Sequence, residues 1–499
     1  MKTQFKILIG AAVCVAITAG FGAIASRNKE AVNPPSSSSS TALVNHVFEN
    51  ETPHASSLLS ANGSPDGANT IFTNPAPDCS RSMDISWITP PGKLCRIELI
   101  ETTDAHTYVF DYENADSKFP NDEPEVVEMK ASDAPKGSIL TDDSVCRDFD
   151  NIRSKLADNK DVTEHHKFVK HGYRLSNLKP DTDYSYRILT YDPETGKMEH
   201  SETRRFHTAG AREWKAAVIG DFHHYSPEPR RLKSAMAMLD VLDSVGEGVD
   251  WVVSTGDECA WGGSLNFWTE LSEQPGFMNY MWAPVEGNHD SMDKDNDKTD
   301  SYFRNSHYFP RDGYANQQGN SYWFRYGDVL FIMLNNEGML KAGTFQPAVE
   351  WMEKVIKENP AQYIVVVEHH QWLIGTDGTN GQLDRWRKVF DRLNVDLAIS
   401  GHNHAYLRTY PIYDRKPVGP GKGTVYVVNS SSDDARGRAL KPIKANADLI
   451  ANRWSEGKHT VGGMLMDVNP QRIQMTLYDR YGKIQDSFTV PARRQPTTN

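Results

Sequence analysis

At 499 residues the chain is too long for one hydrophobic core, since single cores stop growing near about 250–300 residues, so two folded units are expected. A hydrophobic fraction of 38% is ordinary for a soluble protein carrying some polar linker. The formal charge of -12 argues against a nucleic-acid partner, which asks for a basic face, but leaves small anionic substrates open because bound metal ions reverse the local field.

Lys2 and Lys6 precede an apolar run over residues 7–25 that closes in Ala23-Ile24-Ala25 before Ser26. A basic start, an apolar middle and an A-x-A site read as a secretory signal at 1–25, so the protein is expected to be secreted, periplasmic or at the cell surface. As a helix the same run would reach about 28 Å, near one hydrocarbon thickness; an uncleaved N-terminal anchor is therefore the alternative, and the one membrane contact expected. Loss of Cys14 with the signal leaves Cys79, Cys95, Cys146 and Cys259 in an oxidising compartment. Four cysteines allow three pairings; proximity in sequence favours Cys79 with Cys95, while Cys259 reads equally as a small buried residue.

Residues 26–70 are small and polar, with Pro34-Pro35 before a serine run at 36–40, and cannot bury enough apolar surface to order themselves. This stretch reads as a flexible tether. From 71 to 209 the pattern is β: Ser82-Met83-Asp84-Ile85-Ser86-Trp87-Ile88 alternates with period two before the Pro90-Pro91-Gly92 turn. Further strands are expected at 95–100, 106–112, 171–175 and 184–191, which together suggest a β-sandwich. The charged stretch at about 113–166 reads as an insertion.

From 213 to 490 the pattern switches to strand–helix alternation, with a short tail at 491–499. Apolar runs at 216–219, 251–254, 282–285, 363–367 and 397–399 alternate with helical stripes such as Leu232, Met236, Leu239, Leu242 and Leu383, Trp386, Phe390, Leu393. An α/β layered domain with buried sheets follows. Strands return over 462–490, around Tyr481-Gly482-Lys483.

All five apolar runs end in the same kind of residue. They close in Gly220-Asp221-Phe222-His223, Gly256-Asp257-Glu258, Gly287-Asn288-His289-Asp290, Glu368-His369-His370 and Gly401-His402-Asn403-His404. Ligands of open α/β sheets bind outside the carboxyl ends of the strands, so these clusters would pool in one pocket. Imidazole and carboxylate without thiolate suit Zn, Fe, Mn or Co rather than a cysteine-built structural zinc. Asp221, His223, Asp257, Asn288, His369, His402 and His404 are too many donors for one tetrahedral ion and about right for two, with Asp257 shared at the ~3.5–4 Å spacing used for attack at phosphorus. Any one of these clusters alone marks a site rarely; five in order, each after a predicted strand, do not arise readily by chance.

The five clusters resemble the DxH, GDxx, GNH[DE], VxxH and GHxH blocks of the calcineurin-like metallophosphoesterases, and within them the purple acid phosphatase-like group. Further matches are the run from Tyr322 to Phe331 and the run from His404 to Pro411. The resemblance implies a fibronectin-III-like N-terminal β-sandwich followed by an α/β/β/α layered metallophosphoesterase domain. It implies that Asp221, His223 and His404 hold one metal ion and Asn288, His369 and His402 a second, with Asp257 bridging. Metal-activated water would attack a small phosphorylated substrate, and His289 would stabilise or protonate the leaving alkoxide. Asp290 either orients His289 or serves as a loop carboxylate.

One departure matters. The purple enzymes carry DxG and GDxxY, where a tyrosinate binds Fe(III); here His223 replaces the glycine and Ala260 the tyrosine. Two divalent ions and a protein that is not purple are therefore expected. Asp293, Asp295 and Asp297 resemble a calcium loop, but Lys298 and Arg304 stand where glycine and glutamate are needed, so the run reads as a solvated loop. His370, Trp372, Asn403 and Tyr406 adjoin donors, with packing the expected role of the aromatics. The leading function is phosphomonoester hydrolysis; a phosphodiesterase or nucleotide pyrophosphatase with the same donors is the rival, and a non-catalytic tethered binding protein the third reading. Oligomeric state is not legible in the sequence.

Overall fold

The computed structural model describes residues 67–101 and 166–495 apart from short breaks, the longest at 292–302 and 336–343, together with the strands Thr107–Asp111 and Glu125–Met129. The expected signal at 1–25, nearly all of the expected tether, most of the expected insertion, Cys14, Cys146 and the Asp293–Asp297 run lie outside the described residues. Among those described, no helix is long and apolar enough to cross a membrane.

Residues 69–207 form two antiparallel sheets. The first contains Asn69–Pro75, Met83–Thr89, Glu125–Met129 and His166–Leu175; the second contains Leu94–Glu101, Thr107–Asp111, Asp183–Asp192, Lys197–His200 and Arg204–His207. They face each other, with Trp87 Nε1 donating to Cys95 Sγ at 3.4 Å and Thr73 Oγ1 lying 2.7 Å from the Tyr186 hydroxyl. Two boundaries differ from expectation. The first strand begins at Asn69, inside the stretch assigned to the tether, and Glu125–Met129, inside the supposed insertion, pairs with His166–Leu175 as a sheet strand.

The favoured Cys79–Cys95 disulfide is not formed. Both thiols are free and buried, as is Cys259. Cys79 donates to the Ala76 carbonyl at 3.3 Å and packs on Met281 Sδ at 3.9 Å, while Cys95 sits against the Trp87 indole across the sandwich. Proximity in sequence misled here because Cys79 lies in the turn joining two strands of the first sheet, whereas Cys95 lies within Leu94–Glu101 of the second.

From Trp214 the chain builds two mixed sheets. The six-stranded sheet places Met281–Pro284, Trp251–Ser254 and Trp214–Ile219 side by side and parallel, then continues antiparallel through Gly462–Val468, Arg472–Asp479 and Ile484–Pro491. The seven-stranded sheet has a parallel centre of Val329–Leu334, Tyr363–Glu368, Leu397–Ser400 and Val425–Val428, with Tyr322–Tyr326, Tyr406–Thr409 and Ile450–Trp454 completing it. Aromatic contacts join their inner faces, Trp251 meeting Phe331 edge-on at 5.0 Å and Phe324 at 5.5 Å. The helix Arg230–Gly246 buries Leu232, Ala235, Met238, Leu239 and Leu242 on the outside of the six-stranded sheet, an i, i+3, i+4 stripe. Helices Phe345–Glu358 and Leu383–Leu393 cover the other sheet through Trp351, Met352, Trp386 and Phe390. The layer order is α/β/β/α.

The sandwich docks on this domain by its first strand. Phe72 meets Phe277 edge-on at 5.9 Å, Asn74 Nδ2 donates to the Trp282 carbonyl at 3.3 Å, and Arg325 exchanges backbone hydrogen bonds with Pro77 and Cys79.

Candidate metal centre

Five parallel strands end on one edge of the two packed sheets. Asp221 and His223 follow Trp214–Ile219, Asp257 follows Trp251–Ser254 and Asn288 follows Met281–Pro284; His369 follows Tyr363–Glu368, and His402 and His404 follow Leu397–Ser400. The loops are sewn across the sheets. The His402 N–H donates to both oxygens of Asp221, at 3.0 and 2.9 Å, and His369 Nδ1 donates to the Thr255 carbonyl at 2.7 Å.

The backbone is strained where the donors sit. Asp221, His223, Asp257, His402 and His404 all have positive φ, between 44° and 69°, which L-residues avoid unless surrounding structure enforces it. Close approach explains the glycines. A Cβ on Gly287 would come within 2.3 Å of Asp257 Oδ1, and one on Gly401 within 2.6 Å of Asp221 Oδ2.

The structure brings all seven predicted donors together. Asp221, His223, Asp257 and His404 form one group, and Asp257, His369 and His402 a second, with the donor atoms of each group within 4.8 Å of one another. Asn288 Oδ1 joins the second group 3.2 Å from His369 Nε2. His223 Nε2 and His369 Nε2 each lie 3.2 Å from Asp257 Oδ2, so that oxygen stands between the groups.

The proton arrangement asks for a cation. Because a carbonyl only accepts, His369 Nδ1 carries the proton and its Nε2 the lone pair. That lone pair faces Asn288 Oδ1, Asp257 Oδ2 and His402 Nδ1, all at 3.2 Å. His404 is held likewise, Nδ1 donating to the Arg436 carbonyl at 2.8 Å with Nε2 turned 3.4 Å from Asp221 Oδ1. Burial first, then neighbouring imidazoles, keep His402 and His404 well below the usual histidine pKa, the neutral state a metal requires. The two buried carboxylates diverge: burial and the Asp257 charge push Asp221 up to about 7, while for Asp257 the surrounding imidazoles outweigh burial and hold it well below the usual range. Carboxylate and amide oxygens converging with imidazole nitrogens, and no thiolate among them, fit divalent metal ions.

His289 is buried, its N–H donates to Asp257 Oδ1 at 2.8 Å, and its Nδ1 donates to the Ala260 carbonyl at 2.9 Å. Burial pushes its pKa down to about 3, so the ring is neutral. Asp290 is a loop clamp: its carboxylate accepts the N–H groups of Asp257, Cys259 and Gly287 at 2.7–2.9 Å and thereby shapes the turn that presents Asp257. Trp372 and Tyr406 are packing residues, donating to the Ala398 carbonyl and to Asp486, and Asn403 accepts the Thr376 N–H. His370 stays at the mouth with its ring 4.6 Å from that of His402.

Asp433 was passed over in the sequence. It lies buried 3.4 Å from His223 Nδ1, on a loop after Val425–Val428, a sixth strand end, which belongs to the seven-stranded sheet. An apolar run closing in Asn429-Ser430-Ser431-Ser432-Asp433 was the available signal.

With that geometry in view, comparison with known proteins shows what the chain resembles. Residues 215–406 match the model of the calcineurin-like phosphoesterases. That segment is similar to the calcineurin-like phosphoesterases. It is 25% identical over 303 residues to an uncharacterized protein of Mycobacterium tuberculosis, covering 53% of this chain and 55% of that one, so the match spans little more than half of the relative. It is 22% identical over 373 residues to purple acid phosphatase 21 of Arabidopsis thaliana, covering 68% of this chain and 81% of that one. Its fold is that of a purple acid phosphatase from yellow lupin (Lupinus luteus) seeds, with a TM-score of 0.62 at 14% identity, covering 86% of this chain and 75% of the other. The relationship is thus to the purple acid phosphatase-like group.

Proposed function

We propose that this phosphoesterase-family protein is an exported enzyme that hydrolyses phosphomonoesters at a centre of two divalent ions. The observation that carries the reading is Asp257, whose carboxylate is common to both donor groups. Asp221, His223 and His404 would hold one ion and Asn288, His369 and His402 the other, with Asp257 bridging; Zn, Fe, Mn or Co suits the donors. Bound ions of this kind supply Lewis acidity and an activated water.

The chain's own part is orientation and proton handling. The His402 N–H fixes the Asp221 carboxylate, Asp290 fixes the Asp257 turn, and the Thr255 and Arg436 carbonyls fix which nitrogen His369 and His404 present. Asn288 and His402 are the two partly exposed donors, so substrate would approach from their side. His289 holds its Nδ1 proton on the Ala260 carbonyl and would offer Nε2 to the leaving oxygen, its proton affinity rising as an anionic substrate docks. The N-terminal sandwich is read as fibronectin-III-like and as a support. Export rests on the basic, apolar and A-x-A pattern of residues 1–25.

Metal analysis of the purified protein, followed by hydrolysis of an aryl phosphate monoester and diester across pH, tests this. About two ions per chain and faster monoester turnover are expected. A fully metallated wild type that cleaves neither ester overturns the reading.

A further inference from the structure

The loop after Val425–Val428 is welded to the first donor group. Ser431 Oγ donates to the Asp221 carbonyl at 2.9 Å, the Ser432 N–H donates to Gly220 at 3.0 Å, and Asp433 Oδ1 accepts the N–H groups of Ala435 and Arg436 at 2.8 Å each. The Arg436 carbonyl accepts from His404. Its backbone is therefore as firmly placed as the donors themselves.

Its side chain has no such commitment. Arg174, Arg187 and Arg408, each largely withdrawn from solvent, hold a carboxylate at 2.5–2.6 Å. The guanidinium of Arg436, though partly buried, has no hydrogen-bond or ion-pair partner among the described residues. The Arg436 backbone touches His404 and Asp433, and its charge reaches Asp257, Asp433, Asp221 and the rings of His289 and His404, so it stands within electrostatic range of both donor groups. Metal ions would neutralise Asp221 and Asp257, and Asp433 is turned to His223. Arg231, from the first turn of Arg230–Gly246, acts on Arg436 with like charge; its Nη2 holds Glu228 at 3.0 Å, and its Nε and Nη1 are buried without a hydrogen-bond partner among the described residues. Arg230 lies 3.8 Å from Asp434 of the same loop, which ties this helix start to it. A guanidinium on a firmly placed backbone, with no partner among the described residues and next to donors that would hold two divalent ions, calls for an anion carrying more than one charge.

We propose that Arg436 is a substrate-binding residue whose guanidinium grips phosphoryl oxygens at the metal centre and favours a dianionic phosphomonoester over a monoanionic diester. The proposal rests on the phosphoesterase reading above and names the residue that would give that site its preference for monoesters. An ester-linked second substituent removes one charge and one of the oxygens the guanidinium can fork, so the diester gains less from it.

The test is Arg436→Ala and Arg436→Lys in the full chain, with metal content and Tm as controls. For Arg436→Ala, kcat/KM for an aryl phosphate monoester should fall by about 10–100-fold, that for the matching diester by no more than about threefold, and inhibition by inorganic phosphate should weaken in parallel with the monoester loss. Arg436→Lys should recover part of the monoester rate. Equal losses on both esters at full metal occupancy, or no loss on either, overturn the proposal. If the wild type cleaves neither ester, the hydrolase reading fails by itself, and calorimetry with inorganic phosphate then decides: binding by metal-loaded wild type and not by Arg436→Ala supports the anion site, and equal binding overturns it.

Discussion

Asp433 lies 3.4 Å from Nδ1 of His223, on the opposite edge of the imidazole from the shared Asp257 oxygen. For Asp433, burial would raise the pKa, but the His223 interaction prevails and holds it below the ordinary value. A carboxylate behind a ligand histidine fixes the ring and makes its other nitrogen a better donor. Asp433→Ala is expected to weaken metal binding by about 10–100-fold with the fold intact, measured by competition with a metal-binding dye.

Asp257 and His402 make different demands on the centre. Asp257→Ala removes the oxygen common to both groups and should abolish occupancy at both; His402→Ala should cost one ion. Each should lower kcat by about 10²–10³-fold or more, the loss seen when one electrostatic catalytic group is removed. Elemental analysis of each variant beside its turnover checks this, and unchanged activity in both would remove the site assignment.

His223 and Ala260 set the expectation for the colour of iron-loaded protein. With imidazole in place of glycine, and no tyrosine at the position where purple relatives carry one, iron-loaded protein should lack a strong visible tyrosinate–Fe(III) band. An absorption spectrum after loading and oxidation settles the point, and an intense band would refute the divalent assignment.

Chelation should destabilise the protein measurably. Donor loops strained at five positive-φ residues are held partly by what they bind. Ligand present at about 100 times its Kd stabilises by about 2.7 kcal/mol, so exhaustive chelation should lower Tm by a few degrees, recovered on adding metal back.

Asp486 ties the two sheets together next to the site, accepting from the Tyr406 hydroxyl at 2.8 Å and from Arg408 at 2.6 and 3.1 Å. Burial would raise this carboxyl, but the hydrogen bonds from Arg408 and Asn452 prevail and its pKa is lowered. A depressed carboxylate contributes stability that is complete above its unfolded-state pKa, near pH 4, and lost as pH falls through the folded value. Asp486→Asn should therefore cost about 2 kcal/mol at pH 7, the difference from wild type shrinking below about pH 4. Thermal denaturation at pH 7 and across the acid limb reads it.

The donors were legible in the sequence because the strands that carry them are short, apolar and buried on both faces. Such strands stand out as unbroken runs, and Asp221, Asp257, Asn288, His369 and His402 each follow one closely. The helical stripes at 232–242 and 383–393 were visible for a similar reason, one buried face recurring every turn. Cys79 and Cys95 were misjudged because spacing along the chain carries no information about which sheet a strand joins. Only the packing of the two sheets, edge to common edge, could place Asp257 between two imidazole sets, turn Asp433 to the back of His223 and leave Arg436 without a carboxylate partner among the described residues. Residue types and their order are local and written in the chain; which lone pairs face one another depends on contacts between residues as far apart as Asp221 and His402, and only the folded chain makes those.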